Sequence, residues 1–243
     1  MAYGVSFIAD DKRYAIRDRR YAIRKETMTE TTNLIFAGVG GQGVLLIAEL
    51  TARAAVRAGF DVKQTEVHGV SQRGGSVESH VRFGLEVHSP LVIAGQAGVV
   101  IGLEKLEGLR YASFVNPQSG TLLINDHEII PGSVVNAAER YPHHALDFLR
   151  GKGLKVVALP ASQCAHDMGD GRIANVIMLG AMSVLLPRVP KEVWLATLDE
   201  RIPAKHRTLN LKAFETGRGL ASPTPNPLPL PTELPLGGGN RGE

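Results

Sequence analysis

The chain is poor in cysteine, in long apolar runs and in excess charge, and each shortage removes a class of protein. One cysteine, Cys164, stands among 243 residues. No disulfide can form within the chain. An iron–sulfur cluster, which takes about four thiolates, and a cysteine-built zinc site are beyond its own means. No run reaches the roughly 20 apolar residues that a membrane-spanning helix requires. The first 27 residues are polar and basic, unlike a secretory leader, so a reducing, cytoplasmic setting is expected. The formal charge of +3 is local. Seven bases (Lys12, Arg13, Arg17, Arg19, Arg20, Arg24, Lys25) face four acids (Asp10, Asp11, Asp18, Glu26) in that stretch, and from Met28 onward acids and bases are equal in number. A neutral body does not argue for a nucleic-acid surface.

What is present is ordinary globular material, 44% hydrophobic and 21% charged, enough for one core with appendages. Residues 1–30 read as a basic extension, expected to be poorly ordered. It holds a short duplication, Arg13-Tyr-Ala-Ile-Arg17 and Arg20-Tyr-Ala-Ile-Arg24, too brief for a coiled coil. Met28 stands just before the first strand-like segment, so a chain starting there is expected to fold. Residues 221–243 hold six of the fourteen prolines and end in a glycine run. They read as a disordered tail or polyproline tether, or alternatively as a docking peptide.

Between these ends, residues 31–220 alternate strands and helices. Strands are expected at Leu34–Ala37, Val62–Val67, Val99–Leu103, Leu122–Ile124 and Lys155–Leu159. Val77, Val81 and Phe83 share one face of a further strand. Val44–Ala58 has helical spacing, with Leu45, Ala48 and Ala52 on one face. Helices are also expected near Glu104–Ser113, Glu139–Arg150, Ile173–Leu186, Lys191–Ile202 and His206–Arg218. The fold class is therefore α/β, a doubly wound and mostly parallel sheet. A β-hairpin insertion is expected between Ser76 and Val92, and the C-terminal part is helical.

Two glycine-rich loops carry the chemistry. Gly38-Val-Gly40-Gly41-Gln42-Gly43 leaves the first strand and opens the first helix, where helix-start amides and the helix dipole favour a phosphate. The same glycines also suit a tight turn with no ligand. A dinucleotide is the narrower reading, because neither Asp61 nor Glu66 falls where a ribose-binding acid ends the second strand. Glu66-Val-His68-Gly-Val-Ser71-Gln72-Arg73-Gly74-Gly75-Ser76 follows the second strand, and its amides, guanidinium and hydroxyls suit a carboxylate or phosphate. It serves equally as a turn that docks on a partner chain. The two loops follow strands expected to be parallel neighbours and so are expected to converge at the carboxyl edge of the sheet, where α/β ligands bind.

Other residues carry less. Gly169-Asp170-Gly171 mimics half of a thiamine-diphosphate motif, but Asn175 follows too soon, four residues on, and reads as lining or capping a helix start. His68, His80 and His88 make no compact metal motif. His143 and His144 are expected on a polar helix face. Cys164 reads as a packed thiol. No catalytic acid, base or metal ligand is assigned.

The strand before Gly38–Gly43, the second loop through Val77, and His80-Val-Arg-Phe-Gly84 together resemble the γ-type subunit of 2-oxoacid:acceptor oxidoreductases. The His68-Gly-x-Ser-Gln-Arg-Gly-Gly75 form is most similar to the β subunit of indolepyruvate ferredoxin oxidoreductases. Asn175-Val-Ile-Met-Leu-Gly180 and Arg207-Thr-Leu-Asn-Leu-Lys-Ala-Phe-Glu215 agree, and the likeness spans residues 32–219. It implies a subunit inactive alone. A larger partner chain would carry thiamine diphosphate, magnesium and 4Fe–4S clusters, convert an aryl 2-oxoacid to an acyl-CoA and pass electrons to ferredoxin. This chain would bind no redox cofactor alone and would share coenzyme A with the complex. The implied anion-binding residues are Gly38, Gly40, Gly41, Gln42, Gly43, Ser71, Gln72, Arg73, Gly74, Gly75 and Ser76. Glu66 and His68 would orient Arg73 or touch the partner. The competing readings are an independent NAD(P)-dependent oxidoreductase and a ligand-free assembly module.

Overall fold

The computed structural model describes residues 30–68, 75–130 and 141–222. The duplicated pentapeptides, the Pro-rich tail, and Ser71, Gln72, Arg73 and Gly74 fall outside the described residues. Strand β1 (Thr32–Val39) has Leu34, Ile35, Phe36 and Ala37 wholly buried. A strand covered on both faces has no polar side to show, which is why its sequence runs apolar without alternation. Helix α1 (Val44–Arg57) follows, then β2 (Asp61–His68) and β3 (Ser76–Gly84). The parallel half consists of β4 (Val99–Gly102), β5 (Thr121–Asn125) and β6 (Val156–Leu159). Helix α2 (Lys105–Arg110) joins β4 to β5, and α3 (Ala145–Gly151) leads into β6. Helices α4 (Ala161–Asp167), α5 (Ala174–Val184), α6 (Lys191–Arg201) and α7 (Ala204–Ala221) complete the domain.

The sheet order is β2-β3-β1-β4-β5-β6. β1, β4, β5 and β6 are mutually parallel, while β3 runs antiparallel to both β1 and β2. Side-chain alternation then divides the core. Leu34, Phe36, Val99, Ile101 and Leu123 face one way, onto α1 and α4–α7. Ile35, Val100, Leu122 and Ile124 face the other, onto α2 and α3. The result is three layers, helices on both faces of one sheet. Among the described residues no helix is long and apolar enough to cross a membrane.

The α/β class, the mixed sheet and the helical C-terminal part match the sequence expectation; several placements do not. The hairpin is β2–β3, within residues 61–84, not Ser76–Val92, and the second glycine-rich segment joins its two strands. β1 and β2 are consequently not neighbours, since β3 lies between them. Helix α1 buries Val44, Ile47, Ala48, Leu50, Thr51, Ala54 and Ala55, a wider stripe than Leu45, Ala48 and Ala52, because it is packed between the sheet and the C-terminal helices. α4 was not expected, as two buried alanines, Ala161 and Ala165, show no readable period over so short a helix. His143 and His144 precede α3 instead of lying on it, because the chain turns at Pro142, whose carbonyl accepts the Ala145 amide.

Candidate functional site

The carboxyl ends of β1, β4, β5 and β6 open onto one edge, where ligands of α/β sheets bind. Gly38–Gly43 forms the turn there. Gly43 takes φ +81° and caps α1; a Cβ on it would stand 2.1 Å from Asn175 Nδ2. Gln42 fixes the turn from within. Its Oε1 accepts the Val39 amide at 2.7 Å and its Nε2 donates to the Leu103 carbonyl at 2.9 Å, tying the end of β1 to the end of β4. Helix α1 then begins with an apolar first turn, so its unshared amides face the edge without a competing carboxylate.

The first glycine loop meets the described end of the second, Gly75 and Ser76, by a route the sequence did not reveal. The Gly40 amide donates to the Gly75 carbonyl at 2.9 Å, and Val39 stands opposite Ser76 in the β1–β3 ladder. Interposed β3, not a parallel β2, makes the junction. Two expected donors are thereby occupied: the Gly40 amide by Gly75, and the Gln42 amide by the Val39 carbonyl at 3.1 Å. Ser76 is occupied too, its hydroxyl donating to Glu107 Oε2 at 2.5 Å. Glu66 and His68 pair with Ser79 and Val77 on β3, and Glu66 is half-buried.

On the other side of the first loop lies a cleft of about 540 Å³, lined among others by Gly41, Gln42, Asn125, Ser162, Asn175 and His206. Four helices, α1, α4, α5 and α7, begin at its wall. Asn125 is fully engaged there, donating to the Leu103 carbonyl and Ser162 Oγ while accepting the Ser162 amide. Asn175 is buried, and its Oδ1 has no hydrogen-bond partner; it lines the start of α5 as expected. Sequence reasoning passed over Asn125, Ser162 and His206. A polar residue closing the apolar run Thr121–Ile124 was the readable signal for Asn125, since strand carboxyl ends hold α/β sites.

Sequence reasoning also missed an acidic network behind the second loop. Glu104, almost wholly buried, caps α2 by accepting the Glu107 amide, and also accepts the Ile129 amide and the Tyr141 hydroxyl. Glu107 is buried as well; beyond Ser76, it meets Arg110 at 3.1 Å. Burial, reinforced by the carboxylates of Glu104 and Glu78, pushes the Glu107 carboxyl above its ordinary range. A carboxyl raised on folding contributes stability that is intact below the ordinary carboxylate range and is lost as pH rises through its folded value. Glu107→Gln is therefore expected to gain in melting temperature over the parent as pH rises from about 4 to about 7. An unchanged difference across paired melts would refute this.

Cofactor chemistry can be tested against the side chains. The Cys164 thiol is packed against the core, and burial pushes its pKa up, so it is a poor thiolate. Asp170 is held at about 2 by hydrogen bonds and charge from Arg172, which leaves Gly169-Asp170-Gly171 committed to a salt bridge. Among the described residues no cluster of three or more His, Cys, Asp or Glu could hold a metal ion. The described side chains thus offer no set of ligands for an iron–sulfur cluster or for a thiamine-bound magnesium. The dinucleotide reading weakens also. Asp61 is engaged by Lys63 at 2.7 Å and by the Val87 amide at 2.7 Å, and β3 occupies the place of a second parallel strand.

Comparison with known proteins agrees with this geometry. A family model described as pyruvate ferredoxin/flavodoxin oxidoreductase matches residues 33–220. The chain is 40% identical over 193 residues to the indolepyruvate oxidoreductase subunit IorB of Archaeoglobus fulgidus, covering 78% of this chain and 94% of that one. It is 36% identical over 192 residues to the subunit of the same name from Thermococcus kodakarensis, covering 76% and 93%. The γ subunit of a keto/oxoacid ferredoxin oxidoreductase from Geobacter sulfurreducens superposes with a TM-score of 0.58 at 25% identity, over 78% of this chain and 98% of that one. Alike in fold is a 2-oxoglutarate:ferredoxin oxidoreductase from Magnetococcus marinus, TM-score 0.60 at 22% identity, matched over 79% of this chain and 31% of its own. The chain belongs to the pyruvate ferredoxin/flavodoxin oxidoreductase family and is a γ-type subunit within it.

Proposed function

We propose that this chain works in a 2-oxoacid:ferredoxin oxidoreductase of the indolepyruvate type. The complex cleaves the carboxyl carbon of an aryl 2-oxoacid from its carbonyl carbon, releases carbon dioxide, joins the acyl group to the coenzyme A sulfur and hands the electron pair to ferredoxin. Support for the aryl substrate comes from the relatives: the IorB chains reach 30–40% identity, against 26–28% for 2-oxoglutarate synthase subunits KorC. We assign the iron–sulfur clusters to a larger partner, because one thiol in 243 residues cannot supply the electron relay, and the family resemblance implies thiamine diphosphate and magnesium on that same partner. Decarboxylation chemistry comes from the thiamine group when it is bound there.

This chain's part is to hold coenzyme A and complete the assembly. The observation that carries the reading is the Gly40–Gly75 hydrogen bond, which joins two glycine loops beside the start of α1. Amides of the α1 first turn would receive phosphate oxygens, and Arg73 of the second loop would supply a bidentate cation. In the reconstituted complex, Arg73→Ala is expected to raise the KM for coenzyme A about tenfold or more. An unchanged KM would remove coenzyme A from the second loop, and turnover of a substrate with NAD(P) by the chain alone would overturn the subunit reading.

A further inference from the structure

We infer that Glu107 is a positioning residue that holds the second glycine loop against the first, acting through Ser76. The kinetic consequence rests on the coenzyme A reading above; the mechanical one does not. Ser76 is the first residue of β3 and the root of the second loop. Its backbone stands opposite Val39, and Gly75 beside it accepts the Gly40 amide. Wherever Ser76 is held, the junction of the two loops is held.

Helix α2 grips that root. Glu107 is 3% exposed, and its Oε2 receives the Ser76 hydroxyl. One turn on, burial, reinforced by the Glu78 carboxylate and opposed by Ser76, pushes the Tyr111 hydroxyl up to about 12. Among the described residues, the charged groups that act on Glu107 are Arg110 on its own helix at 3.1 Å, Glu104 at the cap, and Glu78 on β3. A buried carboxylate costs free energy to desolvate, and a surface serine would make no such demand. The arrangement makes sense where one backbone position must be fixed. α2 itself is set by the Glu104 cap and by the closely approaching Gly102 and Gly108, between which a Cβ on Gly102 would leave only 2.7 Å. Force on the loop root is thus carried to the end of β4.

The test uses the assembled complex. Ser76→Ala and Glu107→Ala are each expected to speed exchange of the Gly40 amide and of the amides at the start of β3, residues 76–78, about tenfold, the loss of one buried charge-assisted hydrogen bond. The double variant should be no worse than the more severe single one, because both remove the same bond. Glu107→Gln keeps an acceptor for Ser76 and should restore exchange to within about twofold. The KM for coenzyme A should follow the same order and move more than kcat. Ser76→Ala removes a single hydroxyl, so it carries the test if Glu107→Ala does not fold. Additive effects in the double variant, or unchanged exchange in Ser76→Ala, would overturn the inference. Coupled exchange with an unmoved KM would sustain the tether and overturn the coenzyme A reading instead.

Discussion

Gly217→Ala is expected to destabilise the domain by about 3 kcal/mol or more, lowering the melting temperature by roughly 6–12 °C. α5 and α7 cross with their backbones in contact. A Cβ on Gly217 would stand 1.8 Å from the Ile177 carbonyl oxygen, and one on Gly180 would stand 2.0 Å from the Phe214 carbonyl oxygen. The atoms met are backbone, so no side-chain rotation relieves them. The helices must separate, and Phe214, wholly buried against Trp194, must move with them. Gly219→Ala is the control. It lies on the same helix with nothing within 4 Å of a Cβ, and alanine there is expected to stabilise by about 0.5–1 kcal/mol through helix propensity. Equal melting temperatures for the two variants would show that the crossing can spread at little cost.

The second large effect is expected at the first loop. Gly43→Ala places a Cβ in left-handed backbone, costing about 1–2 kcal/mol, and drives it against Asn175 Nδ2 at 2.1 Å. Together these should cost about 2–4 kcal/mol and shift the start of α1 away from the edge; on the coenzyme A assignment proposed above, the KM for coenzyme A in the complex rises with it. Gly41→Ala separates the two causes, since Gly41 has φ +103° and open space beside it. It should show the backbone cost alone. Adding Asn175→Ala to Gly43→Ala should recover the clash and leave the strain. A Gly43→Ala chain as stable as its parent would refute the account of that turn.

Much of this was legible in the sequence, and what was not has identifiable causes. The parallel core declared itself because strands buried on both faces, such as Leu34–Ala37 and Leu122–Ile124, must be continuously apolar. The Gly38–Gly43 turn was legible because a tight strand-to-helix turn with close backbone approach calls for glycines at this spacing. Pairing was harder: β2 and β3 each read as strands, yet nothing local says that β3 enters between β1 and β2. That order follows from a ladder matching Leu34 with Val81 and Phe36 with Ser79, residues far apart in the chain. Glu104 and Glu107 were passed over because charged side chains at a helix start look solvated until a partner arrives from a distant strand. Asn125 and Ser162 likewise find each other only across the sheet edge.

The interposed β3 has a consequence for how the edge comes into being. β2 and β3 are joined by a short connection and zip together locally, whereas β1 meets β4 only after the intervening chain has been laid down. Contacts near in sequence nucleate before distant ones. The ribbon that brings Gly75 to Gly40 is thus expected to form before the parallel half of the domain, so that this rim is templated by the subunit's own local architecture.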